Sequence, residues 1–302
     1  MTDVNEQSFA AGKSGDSTAM HVTGSKPTRM NAPLWRFKPA LPPANVVRRI
    51  KNEIIPRIVL ALRSVPPPKS VAIIQDDSPK ALQFATFVIG NDDDAAFDFV
   101  DNLLMQGMTV EAVFLDLLTP AARYLGEMWE ADATDFATVT LGVSRMQRIL
   151  RKLSEPFLNQ QDRETHGESA LLTTIPGEQH SLGLSVVAEF FRRSGWNLCT
   201  GPFGSHRELT ALVQSQWFDI VGFSVCSDRR LNEVRKGIDD IRRDSRNRNI
   251  GIILGGPMLM SHPELVASLG ADMMLVDATT APQQAHCLIA EKTKQANAEG
   301  DT

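Results

Sequence analysis

Apolar positions along this chain change their spacing from one stretch to the next, and the changes divide it. From Ala44 to Ser64, Val46, Val47, Ile50, Ile54, Ile55, Ile58, Val59 and Leu62 recur at helical spacing, while Arg48, Arg49, Lys51, Arg57 and Arg63 face elsewhere. Pro56 kinks or divides this amphipathic helix, which either docks on the body of the protein or offers a face to a partner. Val65-Pro66-Pro67-Pro68-Lys69 then makes a stiff, polyproline-like linker, so residues 44–76 form one segment. Over residues 77–158 the period stays helical, and helices are expected at roughly 78–90, 93–106, 109–130 and 135–155. Asn91-Asp92-Asp93-Asp94 reads as an acidic N-cap for the second of these, and Thr119-Pro120 as a break with a fresh start in the third. Short joints between such helices predict a small antiparallel four-helix bundle.

Beyond the polar stretch Asn159–Glu168 the pattern changes. Strand-like runs near 170–175, 195–199, 218–224, 250–255 and 272–276 alternate with helical runs near 181–194, 205–215, 228–244, 258–269 and 279–295. Phe218–Ser224 and Ile250–Leu254 are almost continuously apolar, as strands buried on both faces should be. Residues 168–298 therefore predict a doubly wound, flavodoxin-like parallel sheet of five strands, and the chain is α/β plus all-α. Residues 1–43, rich in Ser, Thr, Gly, Asn and Pro, bury too little to offset ordering entropy and are expected to be disordered. Met30 is a second candidate start within them.

Composition narrows the function. A formal charge of −5 argues against a polyanion as the main partner. The chain has 3 cysteines, Cys199, Cys226 and Cys287, without CxxC spacing, which fits a reduced compartment and no ordinary structural zinc site. No apolar run is long enough for a membrane span, and the N-terminus lacks the apolar core of a signal peptide, so a cytoplasmic location is expected. Walker, GxSxG and HExxH motifs do not occur, and the first 76 residues hold no convincing helix-turn-helix. A non-enzymatic protein without sequence-specific DNA binding of its own is the expectation.

The chemistry gathers on the loops that leave the strands. Pro176-Gly177 stops the first strand, and Glu178-Gln179-His180-Ser181-Leu182-Gly183 follows before the next helix. In open α/β sheets ligands bind outside the carboxyl ends of the strands at the topological switch point, here between strands one and three. The third strand ends in Ser224-Val225-Cys226-Ser227-Asp228, and the fourth in Gly255-Gly256-Pro257. Adjacent glycines there remove Cβ atoms where something large approaches the backbone. His180 is a candidate axial metal ligand with Glu178 as its partner; Gly183 either opens a slot or permits close helix packing. His206 is a further histidine with no supporting pattern.

His-x-x-Gly after the first strand with an acid two residues earlier, a serine ending the third and Gly-Gly ending the fourth resemble the cobalamin-binding module. The resemblance implies His180 as the lower cobalt ligand, Glu178 as its hydrogen-bonded partner, Gly183 as the slot for the nucleotide tail, Ser224 as a tail contact, and Gly255 and Gly256 as the tail wall. Two positions depart from it. Aspartate is usual where Glu178 stands, so that the extra methylene calls for a shifted loop or a bridging water, and leucine is common where Cys226 stands. Leu125-Gly126-Glu127-Met128-Trp129 resembles the end of the helical cap of cobalamin proteins, implying Trp129 over the upper face of the cofactor; the alternative is a tryptophan in the bundle core. Glu130 stands where light-regulated cobalamin repressors carry a second histidine ligand, and residues 77–158 contain no histidine.

The order Trp129, Asp132, Asp135-Phe136-Ala137-Thr138-Val139-Thr140-Leu141-Gly142, then Glu178 to Gly183, is similar to the AerR/PpaA group of purple bacteria, related to the haem-sensing module of AppA. That resemblance covers about residues 78–295. It implies a photosynthesis-gene regulator (an antirepressor and photoreceptor) that binds adenosyl- or hydroxocobalamin and acts on a transcriptional repressor of the PpsR/CrtJ type in response to light, redox state or oxygen. Two other readings stand beside it: a corrinoid carrier serving methyltransferases, and a sensor holding non-covalent haem on His180.

Overall fold

The protein is seen here in a computed structural model that describes residues 78–159 and 167–300. The helix expected over Ala44–Ser64, the polyproline linker and residues 1–43 lie outside the described residues.

The helical half contains α1 (Pro79–Ile89), α2 (Ala95–Met105), α3 (Val110–Ala112), α4 (Thr119–Glu130) and α5 (Phe136–Leu158). Thr109 and Asp135 cap α3 and α5 by accepting from the Ala112 and Thr138 N–H groups at 3.1 and 2.7 Å. The break expected at Thr119-Pro120 is instead a widened turn. Val113–Leu118 is π-helical and joins α3 to α4 without interruption, with the Thr119 N–H and Oγ1 both donating to the Phe114 carbonyl. A proline lacks an N–H and crowds the carbonyl four residues back, and a wider turn accommodates both defects. Phe84, Phe114, Leu117, Leu118, Leu125, Met146, Ile149 and Phe157 fill the core.

The acidic stretch before α2 does not cap it. Asp94 makes no side-chain cap, and Asp92 accepts from the Asp94 N–H. Asp93 pairs with Arg145, which rises from the middle of α5 with only 3% of its side chain exposed. The same guanidinium donates to the Val88 and Gly90 carbonyls at 2.7 and 2.6 Å, satisfying the carboxyl end of α1. Beside Arg145 the Asp93 carboxyl is held below the usual carboxylate range, first by the hydrogen bond and then by the charge.

The second half is a parallel sheet of β1 (Ser169–Thr174), β2 (Asn197–Thr200), β3 (Ile220–Ser224), β4 (Gly251–Gly255) and β5 (Met273–Leu275), in the order β2-β1-β3-β4-β5. This is the flavodoxin-like order expected from the sequence. Helices α6 (Leu182–Arg193), α7 (His206–Ser215), α8 (Leu231–Asp244), α9 (Pro257–Ser261), α10 (Leu265–Ser268) and α11 (Ala281–Gly300) follow the strands. One sheet face, with Ala170, Leu172, Ile220 and Ile253, packs on α6 and α11; the other, with Leu171, Val221, Ile252 and Leu254, packs on α7 and α8. Alternation of Ala170, Leu171 and Leu172 between the two faces is the two-residue period of a strand buried on both sides. The single helix expected over 258–269 is two short ones, because Pro263 forces His262 out of helical geometry.

Helix α6 belongs to both halves. Ala188 and Phe191 enter the sheet core, whereas Leu182, Val186 and Phe190 join the core of the helical half. Polar contacts lock this joint. Glu189, buried on α6, accepts from Ser154 of α5 and from Arg192, both at 2.5 Å. Arg193 pairs with Glu111 of α3 at 2.8 Å and lies over the Phe157 and Phe190 rings. Among the described residues no helix is long and apolar enough to cross a membrane.

The Arg145 clamp yields a stability prediction. Arg145→Ala removes two charge-assisted bonds to buried carbonyls and leaves a cavity, and should cost about 2–4 kcal/mol in chemical denaturation. Asp93→Asn should cost far less, since that carboxylate faces solvent.

Candidate functional site

The carboxyl ends of the strands lie side by side: Thr174 pairs with Ser224, Ser224 with Gly255 and Gly255 with Leu275. Three loops therefore start from one line. The loop after β1 turns at Ile175-Pro176-Gly177-Glu178, where the Glu178 N–H donates to the Ile175 carbonyl at 2.9 Å. Proline second and a glycine at φ +87° third are what a type II turn requires.

From that turn Glu178 folds back over its own loop. Its Oε1 accepts from the Gln179 N–H at 2.8 Å, from the His180 N–H at 3.0 Å and from His180 Nδ1 at 2.5 Å. The longer acid thus reaches the imidazole directly, without a bridging water. Burial pushes the Glu178 carboxyl up, but the bonds from the His180 backbone and ring and from the Gln179 N–H outweigh it and hold the group below its ordinary value. Ionised Glu178 therefore favours the ordered loop above the usual carboxylate range, and the contribution is lost as pH falls through the lowered value. With the carboxylate ionised, the neutral imidazole carries its proton on Nδ1 and donates it, leaving Nε2 with a free lone pair. Side-chain exposure is 65% for His180 and 11% for Glu178, so the acid is sheltered while the ring stands open to a ligand.

The loop after β3 closes on this one. Cys226 Sγ lies 3.8 Å from the His180 carbonyl and 3.8 Å from Ser224 Oγ, at the limit of a sulfur hydrogen bond. Burial pushes the Cys226 thiol up, so it stays neutral and acts as a small apolar residue. Arg230, in the single turn Asp228–Arg230 that precedes α8, donates to the Pro176 carbonyl at 3.1 Å and to the Gly177 carbonyl at 3.3 Å. Cys226 was marked in the sequence as a departure from the module, whereas Arg230 did not stand among the candidates. An arginine in a loop carries no pattern of its own, and only the strand order brings it to the histidine turn.

The glycines divide by what surrounds them. A Cβ on Gly183 would meet nothing within 4 Å, so this end of α6 is open. A Cβ on Gly256 would lie 2.4 Å from the Val225 carbonyl oxygen, and the backbone there sits at φ +115°. Gly256 thus answers first to the close passage of the β3 loop, whose Val225 N–H donates to the Gly255 carbonyl at 2.8 Å. A Cβ on Gly255 would make only an ordinary contact, 3.4 Å from the Leu275 carbonyl oxygen.

Trp129 stands near the carboxyl end of α4, a helix that touches α6. With 43% exposure it is not a core residue, and Phe136 and Leu141 of α5 are exposed as well. His206, at the start of α7, lies beside Gly237 of α8 on the sheet face opposite α6. Among the described residues no group of three or more His, Cys, Asp or Glu could hold a metal ion. A single histidine with one open nitrogen instead suits a metal that arrives already held in a macrocycle.

Fold and site together define a doubly wound domain that presents an exposed histidine at its switch point, next to a helical domain sharing one of its helices. Comparison with known proteins gives the class. The B12 binding domain family matches residues 168–285, and a second B12 binding domain family matches residues 82–154. The chain therefore carries B12-binding domains over both its sheet half and its helical half. It is 29% identical over 168 residues to an uncharacterized 20.5 kDa protein from the bchF-crtJ intergenic region of Rhodobacter capsulatus, covering 56% of this chain and 87% of that one. The monomethylamine corrinoid protein of Methanosarcina barkeri shares the fold at a TM-score of 0.57 and 12% identity, over 67% of this chain and 95% of that one.

The two glycines should respond oppositely to alanine. Gly256→Ala forces a side chain into a backbone region open essentially to glycine and against the Val225 backbone, and should cost at least ~2 kcal/mol. Gly183→Ala, in open space within a helix, should be neutral or stabilising by up to about 1 kcal/mol. Thermal denaturation of the two variants separates these outcomes.

Proposed function

We propose that the protein is a non-enzymatic, cytoplasmic cobalamin sensor in which His180 is the lower cobalt ligand. The observation that carries this reading is the 2.5 Å contact of His180 Nδ1 with Glu178, which leaves Nε2 as the free nitrogen on an exposed ring. A ligating histidine is ordinarily oriented in this way by a carboxylate on its other nitrogen. The opening at Gly183 and the hydroxyl of Ser224 at the adjoining strand end suit the nucleotide tail, with Gly255 and Gly256 forming the neighbouring wall. Trp129, left outside the core, suits the upper face of a corrin. Bound cobalamin, as adenosyl- or hydroxocobalamin, supplies a cobalt whose upper ligand changes with light or redox state.

Regulation is the output we favour. The chain resembles the AerR/PpaA group in its motifs, and its relative from Rhodobacter capsulatus is a product of the bchF-crtJ intergenic region. Both support a role as antirepressor toward a transcriptional repressor of the PpsR/CrtJ type. A change of ligand shifts a conformational equilibrium only if the two cofactor states touch the protein differently. Helix α6 supplies the route, since it begins beside His180 and packs in the core of the helical half.

His180→Ala should abolish the histidine-bound absorption spectrum and weaken cobalamin binding substantially, and wild-type affinity with an unchanged spectrum would refute the ligation. Glu178→Gln should weaken binding by a smaller factor, on the order of 10–100-fold. Repressor affinity measured with the cofactor in each state should differ by roughly 5- to 150-fold in wild type and less in Trp129→Ala. Equal affinity in all states, or methyl transfer to a corrinoid methyltransferase, would favour a carrier instead; retention of haem but not cobalamin would favour a haem sensor.

A further inference from the structure

The type II turn that precedes Glu178 has one internal bond, from the Glu178 N–H to the Ile175 carbonyl. Its two central carbonyls, of Pro176 and Gly177, must find partners elsewhere. Both find the same one. Arg230 Nη1 donates to the Pro176 carbonyl at 3.1 Å and Nη2 to the Gly177 carbonyl at 3.3 Å. Glu233, in the first turn of α8, accepts from the same Nη1 at 2.9 Å and holds the guanidinium in place.

Contact with the turn is close as well as polar. A Cβ on Gly177 would stand 3.2 and 3.3 Å from the two terminal nitrogens of Arg230, so the guanidinium lies against the glycine that the turn requires. A planar fork can serve two neighbouring carbonyls at once, which an ammonium group does less well.

The position of this clamp gives it its meaning. Glu178–Ser181 is all that separates the clamped turn from the first residue of α6, Leu182, which is buried in the core shared with the helical half. The segment bearing Glu178 and His180 is thus held at one end by Arg230 and at the other by α6. Because Arg230 belongs to the loop leaving β3, it also fixes the histidine loop against the loop that carries Ser224 and Cys226.

We infer that Arg230 is a positioning residue for the metal ligand: by holding the Pro176 and Gly177 carbonyls it aims Glu178, and through Glu178 the His180 ring. This rests on the cobalamin reading above. It adds that the ligand's orientation depends on a side chain from the loop after β3 and not only on its own loop.

The test uses the full chain loaded with hydroxocobalamin and then reduced to the Co(II) state, with histidine labelled by nitrogen-15. Electron paramagnetic resonance then reports the fraction of bound cobalt that carries a histidine nitrogen, apart from the cofactor's own base. Arg230→Ala should bind roughly 10-fold more weakly and show a reduced histidine-ligated fraction. Arg230→Lys, which keeps one charged donor, should recover part of both effects. Wild-type affinity together with full histidine ligation in Arg230→Ala would overturn the inference. So would equal loss in Arg230→Lys and Arg230→Ala while both keep wild-type near-ultraviolet circular dichroism. Should Arg230→Ala fail to fold, Arg230→Gln and Arg230→Lys are judged by the same criteria. His180→Ala serves as the control that separates the two claims. If it keeps the labelled signature, the ligation itself is wrong; if it loses the signature and Arg230→Ala does not, only the role of Arg230 falls.

Discussion

Helix α6 has to be apolar on two sides at once, and most of the architecture follows from that demand. A helix on the surface of an α/β sheet ordinarily buries one stripe and shows the other to water. Here Ala188 and Phe191 lie against the sheet, while Leu182, Val186 and Phe190 need a second cover, which the helical half supplies. The joint buries aromatic rings, Phe157 against Phe190 with centroids 5.1 Å apart, and the buried Glu189 is satisfied from both sides by Ser154 and Arg192. A buried carboxylate with fewer partners would weaken the contact. Because α6 starts immediately after the histidine loop, the same demand places the helical half beside that loop.

Much of this was legible in the sequence because it was written as period. Continuous apolar runs over 218–224 and 250–254 predict strands buried on both faces, and β3 and β4 are buried along nearly their whole length. The order β2-β1-β3-β4-β5 then places Ser224 and Gly255 next to each other, in the crevice where His180 was expected. What escaped was pairing at a distance. The acidic stretch before α2 looks like a cap because caps are local, whereas its true partner, Arg145, lies 52 residues away from Asp93. Arg230 escaped for the same reason, since nothing in its neighbourhood announces the turn after β1.

Local chemistry was legible in kind but not always in cause. Glycine at position 256 is demanded by the passage of Val225, and a motif alone cannot separate that demand from one made by a ligand. Glutamate at position 178 looked too long for its partner, yet the extra methylene lets the chain curl back and collect two backbone N–H groups together with the ring. Reach was the quantity that sequence could not supply, because it depends on the turn that launches the side chain.

The sharing of α6 also bears on modularity. Sheet domains of this kind are often thought of as interchangeable parts, joined to whatever precedes them through a linker. A fragment beginning at β1 would present Leu182, Val186 and Phe190 to water as one stripe, together with the Phe157-facing side of Arg193. Such a surface invites association between copies. A hybrid that grafts a foreign helical domain onto this sheet would therefore have to rebuild the outer face of α6 before it could stay monodisperse.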